Sequence, residues 1–390
     1  MSRVLRVAVL SFFVAAVLSA QDIRGIYVFS NDVAQLSKPT TAAVTSALKL
    51  PGVDGLVLDI GWDSLEPSMG QYEFATLDQW TSLAVASGRK IDLAIEAGGS
   101  IPSWLFTTAG AATLNFTVSP HAGATGQCQP ITMAAPWDAT FLARWDALLV
   151  AVAAHLKSTG AYSDVVMLRL TGINRTTEEL RLPNESAQST GLPCVTDAVA
   201  TWQAAGYKPS RLLSAWDSIT SSFKKSFPDK AFSVAIIPNN AFPLIAENGS
   251  ILKPSAAPDT NLPLMTLAAQ KFPSRLVIQF DFLMPGEAAS PAVVGYAQSL
   301  GTMAAFQTNE YFGSTGQGAA CAEPVTNPTP CTLATFLQLL ETGIYPLGRS
   351  NPLRAQYIEV FQSNANAFPS DVFEAHYELV PLKRHHAARH

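Results

Sequence analysis

Residues 55–97 read GLVLDIGWDSLEPSMGQYEFATLDQWTSLAVASGRKIDLAIEA. An apolar, β-branched run comes first and predicts a strand over Val53–Ile60. A turn rich in Ser, Pro and Gly follows, and Leu77–Ser87 then has the three-and-four spacing of a helix. Lys90–Ala97 returns to a strand pattern. Both strands are nearly continuous in apolar residues, as expected for strands covered on two faces, and a helix between them makes a parallel pair.

The same unit recurs on both sides. Strands are predicted at Ile23–Phe29, Val165–Leu170, Ala231–Ile237, Arg275–Leu283, Met303–Thr308 and Tyr357–Phe361. Helices are predicted at Phe141–Leu156 (with Trp145, Leu148 and Val152 on one face), Arg211–Phe223, Leu264–Phe272, Ala292–Leu300, Thr332–Thr342 and Pro369–Tyr377. Eight short buried strands alternating with helices or long loops predict an α/β fold, a (β/α)8 TIM barrel. A doubly wound sheet is the alternative, but Phe29-Ser30-Asn31-Asp32 is not the Gly-rich phosphate turn such a fold carries after its first strand. Long insertions follow the third strand (106–136), the fourth (174–203), the fifth (238–263) and the seventh (311–330). All four leave C-terminal strand ends, the face on which barrels build their sites.

The 390 residues are 48% hydrophobic and 14% charged, with a formal net charge of −5 and a pI near 5.7. That composition excludes a disordered chain. A nucleic-acid partner is not expected, because the sole basic cluster is the tail at 381–390. Arg3 and Arg6, the apolar run Val7–Val17 and the small residues Leu18-Ser19-Ala20 have the form of a signal peptide over residues 1–20, cut before Gln21. The run is too short to span a bilayer comfortably. One barrel is therefore expected over 21–380, in a secreted or periplasmic protein with no membrane attachment after cleavage. Four cysteines in an exported chain favour disulfides, with Cys321–Cys331 the local pair and Cys128–Cys194 joining two long loops. Asn115, Asn174, Asn184 and Asn248 lie in glycosylation sequons. The scattered His121, His155 and His376, and the lack of a Gly-x-Ser-x-Gly elbow, point to neither a metal nor a serine nucleophile, and no cofactor is expected.

After the second strand come Trp62, Leu65, Glu66 and Pro67, then Gly70, Tyr72, Phe74 and Leu77-Asp78. Gly98-Gly99-Ser100-Ile101-Pro102-Ser103-Trp104-Leu105 follows the third strand. This cluster resembles the retaining glycoside hydrolases of clan A, above all the β-galactosidase-like and cellulase-like barrels. The resemblance implies a carbohydrate substrate and a nucleophilic Glu at the end of strand seven. Glu310, in MAAFQTNEYFG, holds that place. It also implies an acid/base Glu at the end of strand four, where the clan carries Asn-Glu. Here Asn174 is followed by Arg175, and Glu178 and Glu179 come next. Glu179 is the expected acid/base, because it leads into the packed-looking Leu180-Arg181-Leu182-Pro183, and Glu178 is its alternate.

Asp59, Glu96, Asn174 and Asn309 are candidate partners of sugar hydroxyls, with Glu96 pairing to Arg24 as the alternative. Trp62, Trp104 and Tyr311 are candidate flat faces for sugar rings or, equally, core or loop packing residues. Asp281, like Asp59, is a hydroxyl ligand or an internal salt-bridge partner, and Glu359 an internal ion-pair partner. The clan's Tyr after strand six and Trp after strand eight are missing from QFDFLMPG and YIEVFQSN. The second functional expectation is accordingly a catalytically inactive carbohydrate-binding barrel.

Overall fold

A computed structural model describes residues 22–30, 38–119, 128–238, 241–253, 258–283, 289–308 and 336–380. The strands are β1 (Gly25–Phe29), β2 (Gly55–Gly61), β3 (Lys90–Glu96), β4 (Thr113–Val118), β5 (Gln129–Ala134), β6 (Val165–Arg169), β7 (Ala231–Ala235), β8 (Leu276–Leu283), β9 (Met303–Thr308) and β10 (Ala355–Phe361). Eight of them form a closed ring in the order β1-β10-β9-β8-β7-β6-β3-β2, and every pairing in it is parallel. The seam runs between β1 and β10, from Gly25 opposite Tyr357 to Phe29 opposite Phe361. The fold is thus the expected (β/α)8 barrel, and the open doubly wound alternative is overturned by that seam.

Each barrel strand is followed by a helix that packs on the outside of the ring: Lys38–Leu48, Ala75–Ala86, Ala139–Thr159, Pro209–Ser226, Asn261–Lys271, Pro291–Leu300, Phe336–Ile344 and Pro369–Leu379. Local chemistry sets their ends. The Asp138 carboxylate accepts from the backbone N–H groups of Thr140 and Phe141 and caps the long helix, and Gly160 closes it in a left-handed conformation that costs a glycine little. Pro209, Pro291 and Pro369 stand in the first turn, where a missing N–H is harmless. Ala139–Thr159 is long and apolar enough to cross a membrane by length and composition. Its stripe of Phe141, Trp145, Leu148, Leu149, Val152 and Leu156 is instead buried in the protein core.

There are two apolar layers. The larger lies between strands and helices. The smaller fills the ring, with Tyr27, Val57, Met167, Ala231, Val277, Ala305 and Tyr357 among its members. Side chains on a strand alternate between these layers, and two residues further along most strands the inward side chain is polar.

The insertion after β3 is not a simple loop. It contains the antiparallel hairpin β4–β5, from Thr113 opposite Ala134 to Val118 opposite Gln129. The Cys128–Cys194 disulfide ties this hairpin to the insertion after β6, as expected. The Cys321–Cys331 pair, the signal segment and the basic tail lie outside the described residues.

Candidate active site

Inside the ring, above the apolar layer, Arg169 at the end of β6 is fully buried. It donates to Asp92 Oδ2 at 3.0 Å, to Gln279 Oε1 at 3.2 Å, to Ser233 Oγ at 3.3 Å and to Glu178 Oε1 at 3.4 Å, and it pairs closely with Glu359. Gln279 and Gln307 each donate to Glu359 Oε2 at 2.9 Å. Gln279 also donates to Asp281 Oδ1 at 2.7 Å, and Gln307 to Glu178 Oε1 at 3.4 Å. Glu359 is therefore the internal ion-pair partner it was expected to be. A buried charge needs both a countercharge and hydrogen bonds on its remaining lone pairs, and this floor supplies them.

The mouth of the barrel lies above that floor. Asp59 in β2, Glu96 at the end of β3 and Glu178 bring carboxylate oxygens within 4.8 Å of one another. The chain places Glu178 there by a detour. Arg169 stands opposite Ser233 of β7, and Leu170 N–H donates to Ser233 O at 2.8 Å. The backbone then leaves the ring and returns where Leu180 N–H donates to Ala235 O at 2.8 Å and Leu180 pairs in parallel with Ile236. Ile236 is three places beyond Ser233, so Leu180 occupies the position residue 172 would hold in an uninterrupted strand. Glu179 thereby takes the inward-facing place next after Arg169, because inward positions recur every second residue. Leu180 and Leu182 are buried on the outer side, which agrees with that alternation. Glu178 and Glu179 are both buried, and Thr177 Oγ1 donates to Glu179 Oε2.

Carboxyls outnumber cations here, and their proton affinities rise. Burial pushes Asp59 up to about 6, although a hydrogen bond from Glu96 opposes the shift. Glu96 is raised well above the usual carboxyl range by burial and then by the charge of Asp59, which favours its protonated form. Burial raises Glu178 well above its usual value, and the neighbouring Glu179 charge adds to it. Asp281 is pushed up to about 8 by burial, against the pull of Arg169. Asp59 Oδ1 and Asp281 Oδ2 are buried and accept no hydrogen bond among the described residues. Hydroxyl donors would satisfy such atoms. Asp59, Glu96 and Glu178 also form an oxygen-only set of the kind that holds hard cations, whereas the sequence pointed to no metal.

Several sequence expectations are corrected. Trp62 is fully buried, with Trp104, Phe141 and Trp145 at ring-centroid distances of 6.0, 5.9 and 5.4 Å, and its Nε1 donates to Glu66 Oε2 at 2.9 Å. Trp104 is 6% exposed and donates to Glu66 O at 2.7 Å. Both are packing residues and present no open face to a sugar ring. Asn174 is 1% exposed, and its Oδ1 accepts from Ala97 and Gly172 N–H at 3.3 and 3.2 Å. Its Oδ1 holds backbone, its Nδ2 is buried with no hydrogen-bond partner among the described residues, and its sequon is not a surface acceptor. Arg24 pairs with Asp22 at 2.8 Å just before β1, at the opposite end of the barrel from Glu96, so the Glu96–Arg24 alternative fails. Asn309, Glu310 and Tyr311 lie outside the described residues.

Sequence reasoning missed Asp92, Arg169, Gln279 and Gln307. The signal was available: each interrupts an otherwise apolar strand at the spacing of two that lines one face.

Residues 40–160 match the family model of the β-galactosidases of glycoside hydrolase family 42. That span contains β2, β3, Trp62, Glu66, Pro67, Tyr72, Phe74 and Trp104, the residues that carried the resemblance, and it ends before Glu178. No curated protein matches the chain in sequence. Among solved structures, the catalytic domain of β-amylase from Paenibacillus polymyxa is similar at a TM-score of 0.57 and 14% identity, covering 92% of this chain and 97% of that one. The intracellular xylanase TsXylA from Thermoanaerobacterium saccharolyticum has a TM-score of 0.49 at 12% identity, covering 88% and 86% of the two chains. The family match and the closed ring mark this protein as a glycosidase-type (β/α)8 barrel, similar over residues 40–160 to the family 42 β-galactosidases.

Proposed function

We propose that the protein is an exported glycoside hydrolase that cleaves O-glycosidic bonds at the C-terminal mouth of its barrel by a two-carboxylate retaining mechanism. The observation that carries this reading is the return of the chain after β6. It sets Glu179 at the inward strand-end position, with Glu178 beside it and Asp59 and Glu96 facing Glu178. The Glu178–Glu179 pair supplies the acid/base in this proposal, with Glu179 favoured and Glu178 its alternate. Burial favours the protonated form of Glu178, so the pair holds a proton for the departing sugar oxygen. Glu310 is the proposed nucleophile. It attacks the anomeric carbon as the leaving oxygen is protonated, and water then releases the glycosyl-enzyme with the acid acting as base. Asp59 and Asp281 accept from sugar hydroxyls.

A panel of aryl glycosides with a fluorosugar trap and peptide mass spectrometry tests this. A trapped glycosyl group on Glu310, lost in Glu310→Gln, is the expected result. Undiminished turnover by Glu310→Gln removes that residue from the mechanism. Sugar binding without turnover instead supports the inactive carbohydrate-binding barrel, which the Asn174-Arg175 departure at strand four favours.

A further inference from the structure

We propose that Gly98 and Asn174 are positioning residues: they form a backbone dock that fixes the segment 171–179, and through it the placement of Glu178 and Glu179. The proposal rests on the glycosidase reading above.

Gly98 lies two residues beyond Glu96, at the exit of β3, with φ of +48°. A Cβ there would stand 2.3 Å from Arg175 O and 2.4 Å from Asn174 O. Both are backbone atoms, so the clash cannot be relieved by rotating a side chain, and the φ itself disfavours any other residue. Gly99 N–H donates to Arg175 O at 2.7 Å. The Asn174 side chain closes the joint by accepting from Ala97 N–H on one side and Gly172 N–H on the other. A second hold comes from the lobe built by the two insertions. Arg175 pairs with Glu185 and donates to Ser119 O at 3.1 Å, and Ser119 N–H donates to Glu185 Oε2 at 2.9 Å. One short turn therefore sets both Glu96 and the backbone three residues ahead of Glu178. None of the docking atoms needs to touch substrate.

Three variants test this. Gly98→Ala forces the segment away. Gly99→Ala makes the same chemical change one residue on, where a Cβ meets Arg175 O and Thr176 Cγ2 at an ordinary 3.5 Å. Asn174→Ala keeps the space at Gly98 but removes the acceptor shared by two N–H groups. With the best aryl glycoside, Gly98→Ala is expected to lose kcat by about 100-fold, as a displacement near 1 Å does, with KM within about threefold and a shifted pH profile. Asn174→Ala is expected to lose at least about tenfold in kcat, and Gly99→Ala less than about threefold. Hydrogen exchange gives a readout independent of turnover: amides at Leu180–Leu182 should lose protection in Gly98→Ala, while the helix Pro209–Ser226 stays protected. Gly98→Ala behaving like Gly99→Ala in kcat and in exchange overturns the proposal. If Gly98→Ala does not fold, an unchanged Asn174→Ala overturns it. If the wild type turns over no glycoside, the glycosidase reading falls, and the exchange comparison still decides the dock.

Discussion

Replacing Arg169 with methionine would remove the only guanidinium that contacts Asp92, Glu178 and Glu359 among the described residues, and leave those carboxyls buried with no cation. Breaking a buried pair by deleting one partner costs about 3–5 kcal/mol. Unfolding entropy scales with length, and for 390 residues it amounts to roughly 0.8 kcal/mol per degree near 60 °C, so the melting temperature should fall by roughly 4–6 °C. The loss should also depend on pH. Burial pushes Asp92 up to about 7 from 3.8, and Arg169 opposes that shift. Between these values the folded protein holds a proton that the unfolded chain has released, so this group lowers stability as pH rises through the window. Without Arg169 the folded value climbs further, and the deficit should be larger at pH 8 than at pH 5. Calorimetry at the two pH values measures this. Adding Glu359→Gln should recover about half of the loss, since the amide keeps its place beside Gln279 and Gln307 while one buried charge disappears. A melting point within 1 °C of wild type at pH 8 (about 1 kcal/mol or less), or no recovery in the double variant, would refute the reasoning.

Glu179→Gln is expected to lower kcat by about 10²–10⁴ on substrates with poor leaving groups, and by much less where the leaving group departs unprotonated; a flat response across leaving groups excludes it as the acid. Glu178→Gln in the same assay assigns the proton: an equal loss means that the two act as one unit. Cys128→Ser opens a disulfide spanning 66 residues, for which chain entropy gives about 4 kcal/mol. Limited proteolysis should then cut within 113–134 before the barrel, and simultaneous cleavage of both would show that the lobe is not a separate unit of stability.

Much of the fold was legible because parallel strands buried on both faces leave unmistakable apolar runs. All eight barrel strands were predicted within a few residues of where they lie. Closure was not legible in the same way, since a ring and an open sheet ask for the same strands and differ in whether the first meets the last. The β4–β5 hairpin was missed because Thr113–Val118 alternates only weakly and Pro130 interrupts its partner. At the site, the packed character of Leu180-Arg181-Leu182-Pro183 correctly signalled a chain that returns to the wall. Trp62 left both readings open because a tryptophan one residue past a strand can turn toward the mouth or toward the helix layer. Glu66 and Trp145 decide it in favour of the helix layer. Arg169 is the one charge in its strand, and only its neighbours in space reveal a hub.

The seam between β1 and β10 has a consequence for biosynthesis. Residues 25–29 find half of their partners some 330 positions later, in 355–361. Until that last strand emerges, β1 and β9 each present an unpaired edge, a template for pairing with another polypeptide. A chain truncated before Ala355 should aggregate rather than remain a smaller soluble barrel, and a cell making this protein must shield the growing polypeptide until β10 has been made.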